Sequence, residues 1–288
     1  YSMKTVTVAT DCITALENWE HSVKENGHDY KILGIGKKWK GWSWRSMLLS
    51  DYFKTLNPDT LICITDAYDA LILENPQKFI NLYGSKGTDL IIGVEHISDE
   101  TRNYFLESLG IKKPPSSAGE VVPGYYINGG GILGKAGILS KAYKFISKFK
   151  DDQVGWKMFL ENNKDISVHY DVKCDFILNL VPIPQHANTT FSIGLEFLKY
   201  SLRPSLVYDK IEISRGKIFH IKNKSYPLII HLPGCNYDKN ARYNEIIKKL
   251  YNDDDKLVEG FTKFTYTNTF RGGLLLLVLL TIYTIKNN

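Results

Sequence analysis

Cysteine is scarce: the 288 residues hold four, Cys12, Cys63, Cys174 and Cys235, far apart and without C-x-x-C spacing. A zinc cluster and a disulfide framework are therefore not indicated, and a reducing compartment is expected. Arginine is also scarce, six residues beside thirty lysines. The net charge of +5 is spread along the chain, with Lys37-Lys38-Trp39-Lys40 the one dense basic run, so no nucleic-acid footprint is expected. No apolar run reaches the ~20 residues that cross a bilayer. The longest is Leu274 to Ile285, after Gly272-Gly273, with Thr281, Tyr283 and Thr284 as its polar members. It is expected to pack against the domain or a second copy, or to touch a membrane. No secretory signal is expected ahead of the first strand, and no repeat or low-complexity linker divides the chain.

What the chain has is a core. A hydrophobic share of 43% with 12% aromatics places it among globular proteins. Strand signals at 4–10, 29–36, 61–65 and 89–95 alternate with helical ones, which predicts an α/β domain with a parallel sheet. Ile13, Leu16, Trp19 and Val23 recur at helical spacing. Asn75-Pro76 and Gly84 bracket a short helix, and Asp99 to Gly110 repeats that pattern. A glycine-rich strand at 126–134 leads to a helix ending near Lys150, and a second helix covers Asp151 to Asn162. From about Asp165 the chain turns more β-like. The architecture is Rossmann-like without a dinucleotide fingerprint, because Gly34-Ile35-Gly36 lacks the third glycine and a following helix start.

Asp66 and Asp69 carry the most chemistry. They follow the run Leu61-Ile62-Cys63-Ile64-Thr65, where a buried strand must end. Two hard oxygen ligands at a strand's carboxyl end suit a metal-bridged nucleotide, although aspartate also favours ordinary turns there.

These acids belong to a series of short motifs. In order they are Thr5-Val6-Thr7-Val8-Ala9-Thr10, Gly34-Ile35-Gly36 with Trp39, Arg45-Ser46-Met47-Leu48-Leu49, Thr65-Asp66-Ala67-Tyr68-Asp69 and Val94-Glu95. Asn128-Gly129-Gly130-Gly131-Ile132-Leu133-Gly134, Asp151-Asp152-Gln153 and Ile229-Ile230-His231-Leu232-Pro233-Gly234 complete it. In order and spacing the chain resembles the glycosyltransferase domain of the procollagen lysyl hydroxylase/glycosyltransferase family.

The resemblance implies a GT-A fold over residues 3–258, nucleotide-binding first and acceptor-binding second, with 259–288 as an extension. It implies a Mn2+-dependent, retaining transfer of glucose from UDP-glucose to galactosyl-hydroxylysine of collagen-like chains. The metal ligands would be Asp66, Asp69 and His231. Thr10, Trp39, Arg45, Asp66, Tyr68, Gly130 and Gly131 would line the nucleotide, with Tyr68 stacking on uracil and Arg45 standing where the family has a lysine near the diphosphate. Asn128 would hydrogen-bond sugar hydroxyls. Asp151 and Asp152 would contact donor sugar and acceptor, with their roles undivided; as plain residues they also suit a helix start. The segment after Glu95 lacks the aromatic expected of the family's acceptor loop.

Other readings remain. A galactosyltransferase using UDP-galactose would need the same metal site. His169-Tyr170-Asp171 with His231 and Arg242 mimics the order of iron and 2-oxoglutarate ligands in non-haem oxygenases, but the β-α alternation of the first half is wrong for their jelly roll. A binding module without turnover would have little need for the full acidic set.

Overall fold

The computed structural model describes residues 2–96, 120–123, 125–180, 211–214, 216–221, 223–232 and 241–251. Its strands are β1 (Met3–Val8), β2 (Tyr30–Leu33), β3 (Leu61–Thr65), β4 (Ala70–Ile72), β5 (Leu90–His96), β6 (Glu120–Val122), β7 (Tyr125–Lys135), β8 (Val168–Tyr170), β9 (Ile177–Asn179), β10 (Ile211–Ser214), β11 (Lys217–His220) and β12 (Ile229–His231). The main sheet runs β2-β1-β3-β7-β5-β8, with β6 beside β7. The β2/β1, β1/β3 and β5/β8 pairs are parallel, while β7 runs antiparallel to β3, β5 and β6. Parallel neighbours need crossovers, supplied here by the helices Thr14–Glu25 between β1 and β2 and Trp42–Lys54 between β2 and β3. This is a mixed α/β fold with a central, mostly parallel sheet, consistent with a GT-A-like architecture.

Side chains of β3 show how the layers form. Its residues alternate across the sheet, so Leu61 and Cys63 enter one core with Trp19, Phe79 and Phe176, while Ile62 and Ile64 enter another with Phe53, Tyr143 and Trp156. The helices Thr14–Glu25 and Pro76–Lys86 cover the first face. Trp42–Lys54, Ala136–Ile146 and Asp152–Asn162 cover the second. A smaller sheet, β4-β12-β9, has a third core with the β10-β11 hairpin, through Leu71, Leu178, Ile230, Ile211, Ile218 and Ile246. The β-richer second half is present in these short strands.

Several boundaries differ from the sequence reading. The helix begun by Asn75, whose side chain accepts from the Lys78 N–H, runs past Gly84 to Lys86. It stops at Gly87, where φ of 60° gives a left-handed cap, a conformation Gly84 does not adopt. The predicted strand 29–36 contracts to Tyr30–Leu33, because Gly34 and Gly36 turn with φ of 89° and 75°. The helix after β7 ends at Ile146, before Lys150. Trp42–Lys54 escapes apolar periodicity because its buried face includes Arg45, Ser46 and Ser50 beside Leu49 and Phe53. The predicted helix Asp99 to Gly110 and the apolar tail lie outside the described residues. No helix among the described residues is long and apolar enough to cross a membrane.

Candidate active site

The end of β3 and the short sheet beside it meet at Asp66. Its N–H donates to the Gly130 carbonyl at 3.3 Å as the chain leaves β3. Three residues on, Asp69 leads into β4, which pairs antiparallel with β12 so that His231 lies opposite Ala70. The Asp69 carbonyl accepts from the Leu232 N–H at 2.8 Å, fixing that register. Asp66, Asp69 and His231 each offer a ligand atom within 4.8 Å of the others, the one such group of His, Cys, Asp and Glu found among the described residues.

The donor set fits a divalent cation. His231 Nε2 lies 3.5 Å from Asp66 Oδ2 and 3.4 Å from Asp69 Oδ2, and this buried nitrogen has no hydrogen-bond partner among the described residues. Its other nitrogen, Nδ1, is 2.7 Å from Asn179 Oδ1. Asn179 Nδ2 donates to the Val94 carbonyl at 2.9 Å, which turns its oxygen toward the imidazole. With Nδ1 donating to Asn179, Nε2 is the nitrogen that faces the carboxylates, the arrangement a ligating histidine needs. Without a cation, burial opposes a charge on His231, but Asp69 and then Asp66 outweigh it and raise its pKa to about 10. A metal would take the place of that proton.

Arg45 extends the site. One terminal nitrogen, Nη2, donates to Asp66 Oδ1 at 2.7 Å and the other, Nη1, to Asp152 Oδ2 at 3.2 Å. Burial pushes Asp66 up, yet Arg45 and then His231 hold it down at about 2. For Asp152 burial wins over Arg45 and raises the carboxyl to about 6.

The two helix-start acids differ. Asp151 is exposed and caps the helix Asp152–Asn162, its Oδ1 accepting from the N–H groups of Gln153 at 2.9 Å and Val154 at 3.2 Å. Asp152 is buried against Arg45 and Gly129.

The glycine run lets this cluster close. Between Ile127 and Ile132 the register of β7 against β5 shifts, and the four residues from Asn128 to Gly131 form the irregular stretch. A Cβ on Gly130 would sit 2.1 Å from His231 Cε1, one on Gly131 2.4 Å from Ile177 Cδ1, and one on Gly129 3.1 Å from Asp152 Oδ2. Asn128 donates to Glu95 Oε2 at 2.8 Å and accepts from the Gly130 N–H at 2.8 Å. Glu95, raised chiefly by burial, is thus a further carboxylate facing this region. The expected nucleotide residues lie around the same strand ends. The Tyr68 hydroxyl accepts from the N–H groups of Thr10 at 2.9 Å and Asp11 at 3.1 Å. Trp39 is 42% exposed, edge-on to Trp42 and Trp44, and Arg45 lies over the Trp42 ring at 5.5 Å.

No sequence pattern points to Asn179 or Trp42, and Glu95 is marked only by the Val94-Glu95 motif. Neither composition nor spacing marks Asn179, which meets His231 through the parallel β9-β12 pairing. The oxygenase alternative gains nothing from the structure. Both Asp171 oxygens accept backbone N–H groups, from Asp175, Phe176 and Ile177, while His231 groups with Asp66 and Asp69.

Residues 1–203 match the family described as "PLOD GT domain". No curated protein matches the chain. Among solved structures, the crystal structure of A197 from STIV aligns at 13% identity with a TM-score of 0.34, covering 59% of this chain and 81% of that one.

Proposed function

This chain belongs to the PLOD GT domain family, the glycosyltransferase domains of the lysyl hydroxylase/glycosyltransferase enzymes, and from that premise we propose that it moves glucose from UDP-glucose to galactosyl-hydroxylysine of collagen-like chains. The observation that carries the proposal is the grouping of Asp66, Asp69 and His231, with an Nε2 unpartnered among the described residues and the buried carboxylate of Asp152 joined to Asp66 through Arg45. Two carboxylates with one imidazole favour manganese over calcium, since imidazole suits transition metals better than hard cations. When bound there, the cation acts as a Lewis acid toward the charge developing on the leaving diphosphate.

The chain's own residues supply the rest. Asp66, Asp69 and His231 hold the ion, with Asn179 fixing the imidazole. Thr10, Trp39 and Tyr68 line the nucleotide. Asn128 orients sugar hydroxyls with the hydrogen-bonding capacity left by Glu95 and Gly130. Asp152, buried and ionised above about pH 6, stabilises positive charge developing at the anomeric carbon. The α-configuration of the donor is retained.

Incubating the protein with a panel of UDP-sugars and Mn2+, and scoring UDP release, tests donor and metal together. Mass spectrometry of a galactosylated collagen peptide should then show one added hexose, and the unglycosylated hydroxylysine peptide none. The reverse pattern identifies a galactosyltransferase acting one step earlier. Absence of Mn2+-dependent UDP binding would remove the metal site from the proposal.

A further inference from the structure

Arg45 has more to do than supply a positive charge. It precedes Asp66 by 21 residues and Asp152 by 107, and its guanidinium joins the two. The oxygens of Asp66 are divided: Oδ1 accepts from Arg45, while Oδ2 faces His231 Nε2. The Arg45 side chain is 4% exposed and rests over Trp42, so the fork is fixed before any ligand arrives. A guanidinium can serve two carboxylates from one rigid plane, which a lysine ammonium does not do with the same geometry. Removing either partner would leave a buried charge uncompensated.

We propose that Arg45 is a positioning residue: it clamps the metal ligand Asp66 and the catalytic Asp152 in one geometry, keeping Asp66 Oδ2 turned to the cation, and does not spend those two nitrogens on the diphosphate. The inference rests on the metal-dependent transferase reading above. It departs from the role expected of a basic residue at this place, which is contact with phosphate.

Arg45→Lys keeps the charge and loses the fork. Calorimetry of Mn2+ binding without nucleotide, and of UDP binding at saturating Mn2+, separates the two roles. The clamp predicts Mn2+ affinity reduced by about tenfold or more, with UDP affinity at saturating Mn2+ close to that of the parent. Parent-like Mn2+ affinity, with or without a loss of UDP affinity, overturns it. If Arg45→Lys does not melt cooperatively, Asp152→Asn tests the clamp from its other end. That variant retains every metal ligand and should also bind Mn2+ more weakly; parent-like Mn2+ affinity overturns the proposal there too. A parent protein that binds neither Mn2+ nor UDP would instead sink the transferase reading, so the two failures are distinct.

Discussion

Replacing Gly130 with alanine is the sharpest steric test of the site. The new methyl would lie 2.1 Å from Cε1 of His231, 2.3 Å from Nδ1 and 2.6 Å from Nε2. Carbon atoms rest at ~3.5–4.0 Å, so the imidazole would have to retreat by roughly 1.4 Å or more. Little allows that: the ring is 2% exposed, Nδ1 is held by Asn179 at 2.7 Å, and β12 is paired on both sides. Metal–ligand distances tolerate about 0.2 Å. Gly130 is not among the positive-φ glycines, so the effect is steric and carries no backbone strain. The expected result is a loss of roughly 10–100-fold in Mn2+ affinity, the range for disturbing a ligand's support, with an overpacking cost of about 1–3 kcal/mol. Calorimetry without nucleotide reads the affinity, and thermal melting reads the stability. Gly129→Ala is the graded comparison: its methyl meets only Asp152, at 3.1 Å from Oδ2, a contact relieved by a few tenths of an ångström, so its loss of Mn2+ affinity should be smaller than that of Gly130→Ala. If Gly130→Ala binds Mn2+ like the parent and loses UDP affinity alone, the glycine serves the nucleotide's approach and the steric argument is wrong.

Three further outcomes follow from other contacts. Asp151→Ala removes a helix cap and should cost about 1 kcal/mol of stability at nearly unchanged turnover, whereas Asp152→Asn should lower turnover by ~100-fold or more; equal kinetic losses in melting-competent variants would refute that division. Asn179→Leu leaves the His231 Nδ1–H without its acceptor and should weaken Mn2+ binding by ~10–100-fold, so an unchanged dissociation constant contradicts the assigned tautomer. His28 is held neutral by burial, below its ordinary 6.5, with Nδ1 facing Thr5 Oγ1 and Nε2 facing the Glu74 carbonyl. As pH falls below 6.5 the unfolded chain takes up this proton first, so the contribution is complete above that pH and declines below it. The Tm difference between the parent and His28→Gln should therefore narrow from about pH 7.5 to about pH 5, and a widening gap would contradict it.

Elements whose signals are local are legible in the residues that form them. The five residues Leu61–Thr65 form a strand buried throughout, and the acids begin where it ends, because a run of apolar and β-branched residues followed by aspartates is encoded in adjacent positions. Asn75-Pro76 start their helix for the same reason: cap and first-turn proline need only their neighbours. The stop of that helix is not legible in the same way: Gly84 and Gly87 lie close together, and local composition does not say which adopts positive φ. The motifs also named Asp66, Asp69 and His231, but their grouping came through resemblance, since His231 is remote in the chain. The folded chain is what brings His231 against Asp69 through the β4-β12 pairing, Asn179 to the far side of the imidazole through β9, and Arg45 between Asp66 and Asp152. It also separated Asp151 from Asp152, neighbours in sequence that face solvent and core. The physical reason is the range of the interactions: periodicity and capping act within a few residues, whereas strand register and buried ion pairs join segments whose separation along the chain leaves no local pattern.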